Sequence, residues 1–186
     1  RYIKTNLNNP DMNTFKTIFV SLLVLVIVVV IVGIVMLTGI KRGAIPQYKG
    51  ELVVTGLGSE ATVYRDERGM PHIYATNEHD LYFSVGYISA QERLWFMDLI
   101  RRVTTGRLSE VMGEKLVQTD KFLRCLEMTA KSEMLLSKED PVILSYMQAY
   151  ADGVNAYITA AGKKLPPEFR ILGYKPEPWK LEDIAN

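Results

Sequence analysis

Apolar positions come in a solid block near the start of the chain and in periodic patterns after it. The 24 residues from Thr17 to Ile40 carry no charge and are mostly Val, Ile and Leu. As a helix they span about 36 Å at ~1.5 Å per residue, enough to cross a hydrocarbon core of about 30 Å. A cleavable signal peptide has a shorter apolar stretch of roughly 7 to 15 residues ending in small residues, a pattern that residues 37–44 lack. The expectation is therefore one uncleaved transmembrane helix. Gly33 alone makes no helix-pairing motif, so no dimer is read from it.

Beyond this block the pattern becomes that of a globular domain. Gly43 to Gly50, with Pro46 between two glycines, reads as a short linker. Leu52–Val54 and Ala61–Arg65 are β-type runs. The second meets a turn at Asp66–Pro71, where Gly69 supplies a positive φ, and His72–Ala75 resumes the extended pattern, giving a β-hairpin. Asn77 is placed to cap a helix with Glu78 and Asp80 in its first turn. In that helix Leu81, Val85, Ile88, Trp95, Leu99 and Val103 make one stripe, and Phe83, Tyr87, Ala90, Leu94 and Met97 make a second. Two stripes predict burial on most sides, and Gly86 between them predicts a close crossing by another element. Residues 120–136 and 138–161 are predicted as two further helices, the latter with Ile143, Met147, Tyr150, Val154, Tyr157 and Ala161 in register and stopped by Gly162. Prolines from Pro166 to Pro178 frame a loop, and Leu181–Asn186 opens an apolar pattern expected to run on.

Composition narrows the function classes. With 22 basic and 21 acidic side chains in 186 residues, the balance favours neither a nucleic-acid binder nor a disordered tail. The single cysteine, Cys125, rules out an internal disulfide, and its neighbours Leu123 and Leu126 predict a buried, inert thiol. The flanking cations, Lys16 on one side of the apolar block and Lys41, Arg42 and Lys49 on the other, leave its orientation undecided. The sequence divides as 1–16, a polar segment whose first eleven residues are expected to precede a natural start at Met12; 17–40, the anchor; 41–50, the linker; and 51–186, the domain.

Candidate chemistry within the domain is sparse. His72 and His79 are the only histidines, without an HExxH pattern, so no metal site is predicted. His72 is expected to bond locally and His79 to lie on the surface. There is no GxSxG elbow, phosphate loop or dinucleotide fingerprint, and Ser89, Ser109 and Ser145 have no base near them in sequence. Glu92, Arg93, Asp98, Arg101 and Arg102 fall on or beside buried surface, where unpaired charges are costly, so ion pairs or hydrogen bonds to backbone carbonyls are expected for all five.

Several separate motifs nevertheless occur in an ordered series. Asp66-Glu67 with Gly69, Pro71-His72-Ile73 and Ala75 is followed by Gly86-Tyr87, Ala90-Gln91-Glu92-Arg93-Leu94, Met97-Asp98, Arg101-Arg102 and Gly106-Arg107-Leu108 with Glu110 and Gly113. Tyr150 to Tyr157, Leu165-Pro166, Glu168-Phe169, Leu172-Gly173-Tyr174 and Trp179 complete it. From about Ile45 onward this series closely resembles the N-terminal region of penicillin acylases.

The resemblance implies an N-terminal-nucleophile hydrolase, an αββα sandwich when complete, of which this stretch is an α+β, mostly helical fragment behind a transmembrane helix. Members are made as one precursor that cuts itself into a small α chain and a large β chain, whose new N-terminal Ser is the nucleophile and whose α-amino group is the base. By this resemblance the residues here belong to the α chain and none is catalytic. Asp66, Gly69, Pro71, His72, Gln91, Arg93, Asp98, Arg101, Arg102 and Gly106 are framework residues of the family motifs. No cofactor or metal is assigned to the stretch, and the acidic α-chain ligand for the calcium held by some members falls beyond Asn186. The implied partners are the protein's own β chain, a lipid bilayer at residues 17–40 and a small amide substrate, with no nucleic acid. The family works outside the cytoplasm, which orients the domain toward the periplasm or outer face. The implied reaction is cleavage of a linear amide, such as the N-acyl side chain of a β-lactam or an acyl-homoserine lactone. The competing reading is a non-catalytic, membrane-anchored binding or scaffold module.

Overall fold

Uninterrupted branched and leucine side chains over several turns leave a backbone no better partner than itself, and the helix α1 runs Met12–Ala44. In the computed structural model residues 12–44 and 47–186 are described. The expected segment before Met12, and Pro46 of the linker, lie outside the described residues. The chain divides into two units at Gly43 and Ala44. Within the first, Thr14–Met36 is long and apolar enough to cross a membrane, and none of it is buried against protein.

The second unit begins with irregular chain. Leu52–Val54 is not a strand. A run of three residues with no neighbouring edge cannot fill its ladder hydrogen bonds. The hairpin does form: β1 (Thr62–Arg65) pairs antiparallel with β2 (Pro71–Tyr74), Thr62 opposite Tyr74 and Arg65 opposite Pro71. Its turn is held by the Asp66 carboxylate, which accepts from the backbone N–H groups of Arg68 at 2.9 Å and Met70 at 2.8 Å, while Gly69 takes φ +77°.

Asn77 caps α2 (Glu78–Thr104), its side-chain oxygen accepting from the Asp80 N–H at 2.8 Å. Asp80 in turn folds the preceding loop onto the helix, accepting from the N–H groups of Gly58 at 2.9 Å and Ser59 at 2.8 Å. These bonds, led by that from Gly58, hold the Asp80 carboxyl well below the usual carboxylate range. The apolar pattern did not foretell the kink of α2 at Arg93, with φ −146° and ψ 29°.

The longest interhelical packing joins α2 to α6 (Pro141–Ala161). Asp140 caps α6 through the Val142 N–H and Pro141 occupies its first turn, where a missing N–H costs nothing. The helix therefore starts three residues later than its apolar pattern predicts. At the crossing a Cβ on Gly86 would strike the Tyr150 carbonyl, and one on Gly153 would strike the Phe83 carbonyl. Around it lies the core of Tyr87, Ala90, Leu94, Ala151, Val154, Tyr157, Phe169 and Trp179. The second stripe of α2 supplies the core, whereas Leu81, Val85 and Ile88 of the first are only half-buried.

The single helix expected over residues 120–136 is broken. After α3 (Ser109–Met112) and a 3₁₀ turn come α4 (Val117–Cys125) and α5 (Met128–Leu136), separated at Glu127, whose φ is +54°. No glycine or asparagine marks that break. It leaves Cys125 exposed rather than buried, because α4 packs through its opposite side. There Asp120 accepts from the N–H groups of Leu108 and Ser109 at 2.8 and 2.7 Å, and Arg124 donates to the Gly106 carbonyl at 2.9 Å. Two short helices, α7 (Pro167–Ile171) and α8 (Leu181–Ala185), close the unit.

Candidate functional site

Asp98 is fully buried on α2 and accepts from three donors. Arg101 approaches at 2.5 Å, the Arg102 Nε at 2.9 Å and the Tyr174 hydroxyl at 2.9 Å. Both arginines are about 4% exposed, so the carboxylate and the two guanidiniums depend on each other for charge. Arg101 reaches onward to the Glu177 and Pro178 carbonyls and to Asp183 at 3.3 Å, and lies over the Trp179 ring. Arg102 reaches Glu110 at 2.9 Å and lies over Tyr174. Burial opposes the Arg102 charge, yet Asp98 and Glu110 outweigh it and raise its pKa. Burial, with Asp98 beside it, pushes the Tyr174 phenol up to about 12. On the rim Arg107 pairs with both Glu110 and Glu177, holding the Glu177 carboxyl down to about 2.

The hairpin residues form a second, separate constellation. Arg65 pairs with Glu92, donates to Gln91 at 3.3 Å and lies over the Tyr48 ring, and the Gln91 amide donates to the Gln47 carbonyl at 3.1 Å. His72 is exposed, 3.7 Å from Asp66, and His79 is exposed beside Asp80. Gly106, at φ +61°, is buried under Arg124 and the Asp120 carbonyl. Of the five charges expected to be paired, Arg93 is the exception: it is exposed and has no ion-pair partner among the described residues.

Between these constellations runs an open, mainly apolar groove of about 720 Å³. Leu81, Val85, Ile88 and Met97 of α2 line it, with Ile73 of β2 and Ile184 of α8 on its sides. Ser89, Glu92 and Arg93 are its polar positions on α2 near the kink. Among the described residues no group of three or more His, Cys, Asp or Glu could hold a metal ion.

The arrangement is a framework of interlocked side chains beside an uncovered groove, and its parentage is settled by comparison. Residues 60–186 match the family model described as penicillin amidase. The chain belongs to the penicillin amidase family. It is 33% identical over 157 residues to an acyl-homoserine lactone acylase of Pseudomonas fluorescens, covering 82% of this chain and 19% of that protein. It is 37% identical over 131 residues to penicillin G acylase of Escherichia coli, covering 68% of this chain and 16% of that one. A penicillin acylase 2 proenzyme of a Pseudomonas species is 37% identical over 139 residues, or 75% of this chain and 18% of the proenzyme. Among solved structures, a thermostable penicillin G acylase of Alcaligenes faecalis superposes with a TM-score of 0.62 at 30% identity, covering 68% of each chain. This member of the penicillin amidase family thus spans less than a fifth of the length of these curated relatives.

Sequence reasoning found the charged residues of the family motifs on α2 but not their distant partners. Tyr174, Glu177 and Asp183 reach the cluster from 76 to 82 residues away, and no local periodicity signals such a return. The groove was visible in part, since the first stripe of α2 predicted burial that the described residues do not supply.

Proposed function

We propose that the chain is the N-terminal, α-chain part of a membrane-anchored acylase that hydrolyses a linear amide. The nucleophile in this reading is the N-terminal Ser of a β chain released from the same precursor. That Ser takes the acyl group and releases the amine, and water then frees the acid. The substrate class is an N-acylated β-lactam or an acyl-homoserine lactone. The observation that carries the reading is identity of 33 to 37% with both kinds of acylase over 131 to 157 residues. The word proenzyme in one relative's name supports processing of a precursor. The role left to residues 51–186 is to frame the active body, and Asp66, Gly69, Pro71, His72, Gln91, Arg93, Asp98, Arg101, Arg102 and Gly106 serve that frame.

Anchoring rests on α1, whose stretch Thr14–Met36 is apolar, uncovered by protein and followed by a domain whose family is extracytoplasmic by resemblance. The reading is tested by expressing the full reading frame and assaying chromogenic phenylacetyl and long-chain acyl amides in washed membranes. Activity that stays with the membrane after a carbonate wash, together with no activity from the 186-residue chain alone, is the expected result. A full frame without hydrolysis of any acyl amide overturns it.

A further inference from the structure

The helices α4 and α5 are held inward through polar side chains and present apolar ones outward. Asp120 and Arg124 tie α4 to the backbone of residues 106–109, and Ser132 of α5 donates to the Ala185 carbonyl at 3.2 Å. On the outer sides Phe122 and Leu126, one turn apart on α4, are 65% and 41% exposed. Met134 and Leu135 of α5 are 56% and 65% exposed, with Met128 uncovered at the start of the same helix. A surface helix in water carries the opposite arrangement.

Cations frame this face. Lys121 and Lys138 are exposed and have no ion-pair partner among the described residues. Lys131 falls between Met128 and Leu135 on one side of α5, its ammonium donating to the Leu126 carbonyl at 2.9 Å. Glu127 stands at the break between the helices, and Glu133 falls about a quarter-turn or more away from the apolar stripe of α5. Exposed apolar side chains with lysines beside them, whose stems can lie along an apolar phase while the ammonium stays at its polar edge, fit a lipid surface.

The same chain supplies that surface. Its stretch Thr14–Met36 is long and apolar enough to cross a membrane, and α1 ends at Ala44 while β1 begins at Thr62. The chain between those two residues reaches at most about 60 Å when fully extended. A bilayer crossed by α1 is thus always within that reach of the domain unit, and such a tether makes even a weak second contact effective. We propose that the outer face of α4 and α5 is a second, peripheral membrane contact, with Phe122, Met134 and Leu135 entering the boundary between headgroups and acyl chains and Lys121 and Lys138 meeting lipid phosphates. This rests on the anchoring reading above. It adds a lipid-facing surface on the domain itself, which that reading does not assign.

The test uses the complete acylase expressed from its full reading frame, reconstituted in vesicles of phosphatidylethanolamine and phosphatidylglycerol whose acyl chains carry a diazirine. After illumination, mass spectrometry should map lipid adducts to α1 and also to Phe122, Met134 and Leu135, a result that needs no substitution. Phe122→Glu combined with Leu135→Glu lowers the adducts on α4 and α5 about tenfold or more and leaves those on α1 and the melting temperature unchanged, since both side chains are exposed. Adducts confined to α1 overturn the contact and leave the anchor standing, whether water or protein covers the face instead. Undiminished adducts on α4 and α5 in the doubly substituted protein overturn the role given to Phe122 and Leu135. Absence of adducts from α1 overturns the anchoring reading beneath the proposal.

Discussion

The carbonyl oxygen of Tyr150 occupies the space in which Gly86 would carry a Cβ. The relationship is reciprocal, since Gly153 faces the Phe83 carbonyl in the same way. Alanine is the better helix former by about 1 kcal/mol, but the obstruction here is backbone on both sides and cannot rotate away. Overpacking typically costs about 1–3 kcal/mol, and a backbone clash belongs at the upper end. Gly86→Ala and Gly153→Ala should each show a net destabilisation of about 2 kcal/mol by urea denaturation. A Gly86→Ala protein as stable as the parent would mean that the helices do not touch there.

Asp98 is the shared anion of two buried guanidiniums. Removing one member of a buried pair strands the others, at a cost of about 3–5 kcal/mol. Asp98→Asn is expected to fall in that range. Glu177→Gln breaks a rim pair whose carboxylate is 49% exposed, and screening holds its effect below about 1 kcal/mol. Denaturation midpoints in the opposite order would reverse this assignment of structural weight.

Acid should loosen the domain unit through its depressed carboxylates. Asp80, Glu110, Asp120 and Glu177 all titrate below their ordinary values in the folded chain. The unfolded chain therefore binds protons first as pH falls, so the stability these groups contribute is complete above about pH 5 and declines from about pH 4 downward. For Glu177 the loss continues to about 2. Melting temperature against pH should be flat above that window and drop within it, and Asp80→Asn should make the drop shallower. An unchanged slope in Asp80→Asn would remove Asp80 from the account.

Cys125 lies at the end of α4, on the surface. An aromatic disulfide reagent should titrate one thiol in the native protein at a rate close to that in denaturant. Protection by orders of magnitude would restore the buried thiol that Leu123 and Leu126 led the sequence to predict.

What the residues declared in advance was mostly local. Asn77 capping α2, Gly69 turning the hairpin and Gly86 admitting a neighbour each express a rule that acts within a few residues or through one missing Cβ. The breaks were hidden for the same reason. Glu127 is a good helix former placed at a left-handed position, and Arg93 interrupts α2 without a glycine or proline to announce it. Leu52–Val54 had strand composition without a strand to pair with. The long-range part was the least legible. The charges on α2 were expected to find partners, but only the fold shows that Tyr174, Glu177 and Asp183 supply them. The groove lies one level further out, because its apolar residues follow a helical period meant for a surface that the described residues do not contain.

The charge cluster on α2 also sets a schedule for synthesis. Domains fold as they emerge from the ribosome, at about 5–20 residues per second. Arg101 leaves the ribosome long before Glu177, Trp179 and Asp183, which bond or cover it from 76 to 82 residues later. Until those last side chains arrive, α2 carries buried-type charges with incomplete partners, and its core against α6 lacks the Trp179 lid. Packing of the Asp98 cluster therefore waits for the segment from Tyr174 to Asp183, and a ribosome stalled before Trp179 is expected to hold a nascent chain open to proteases.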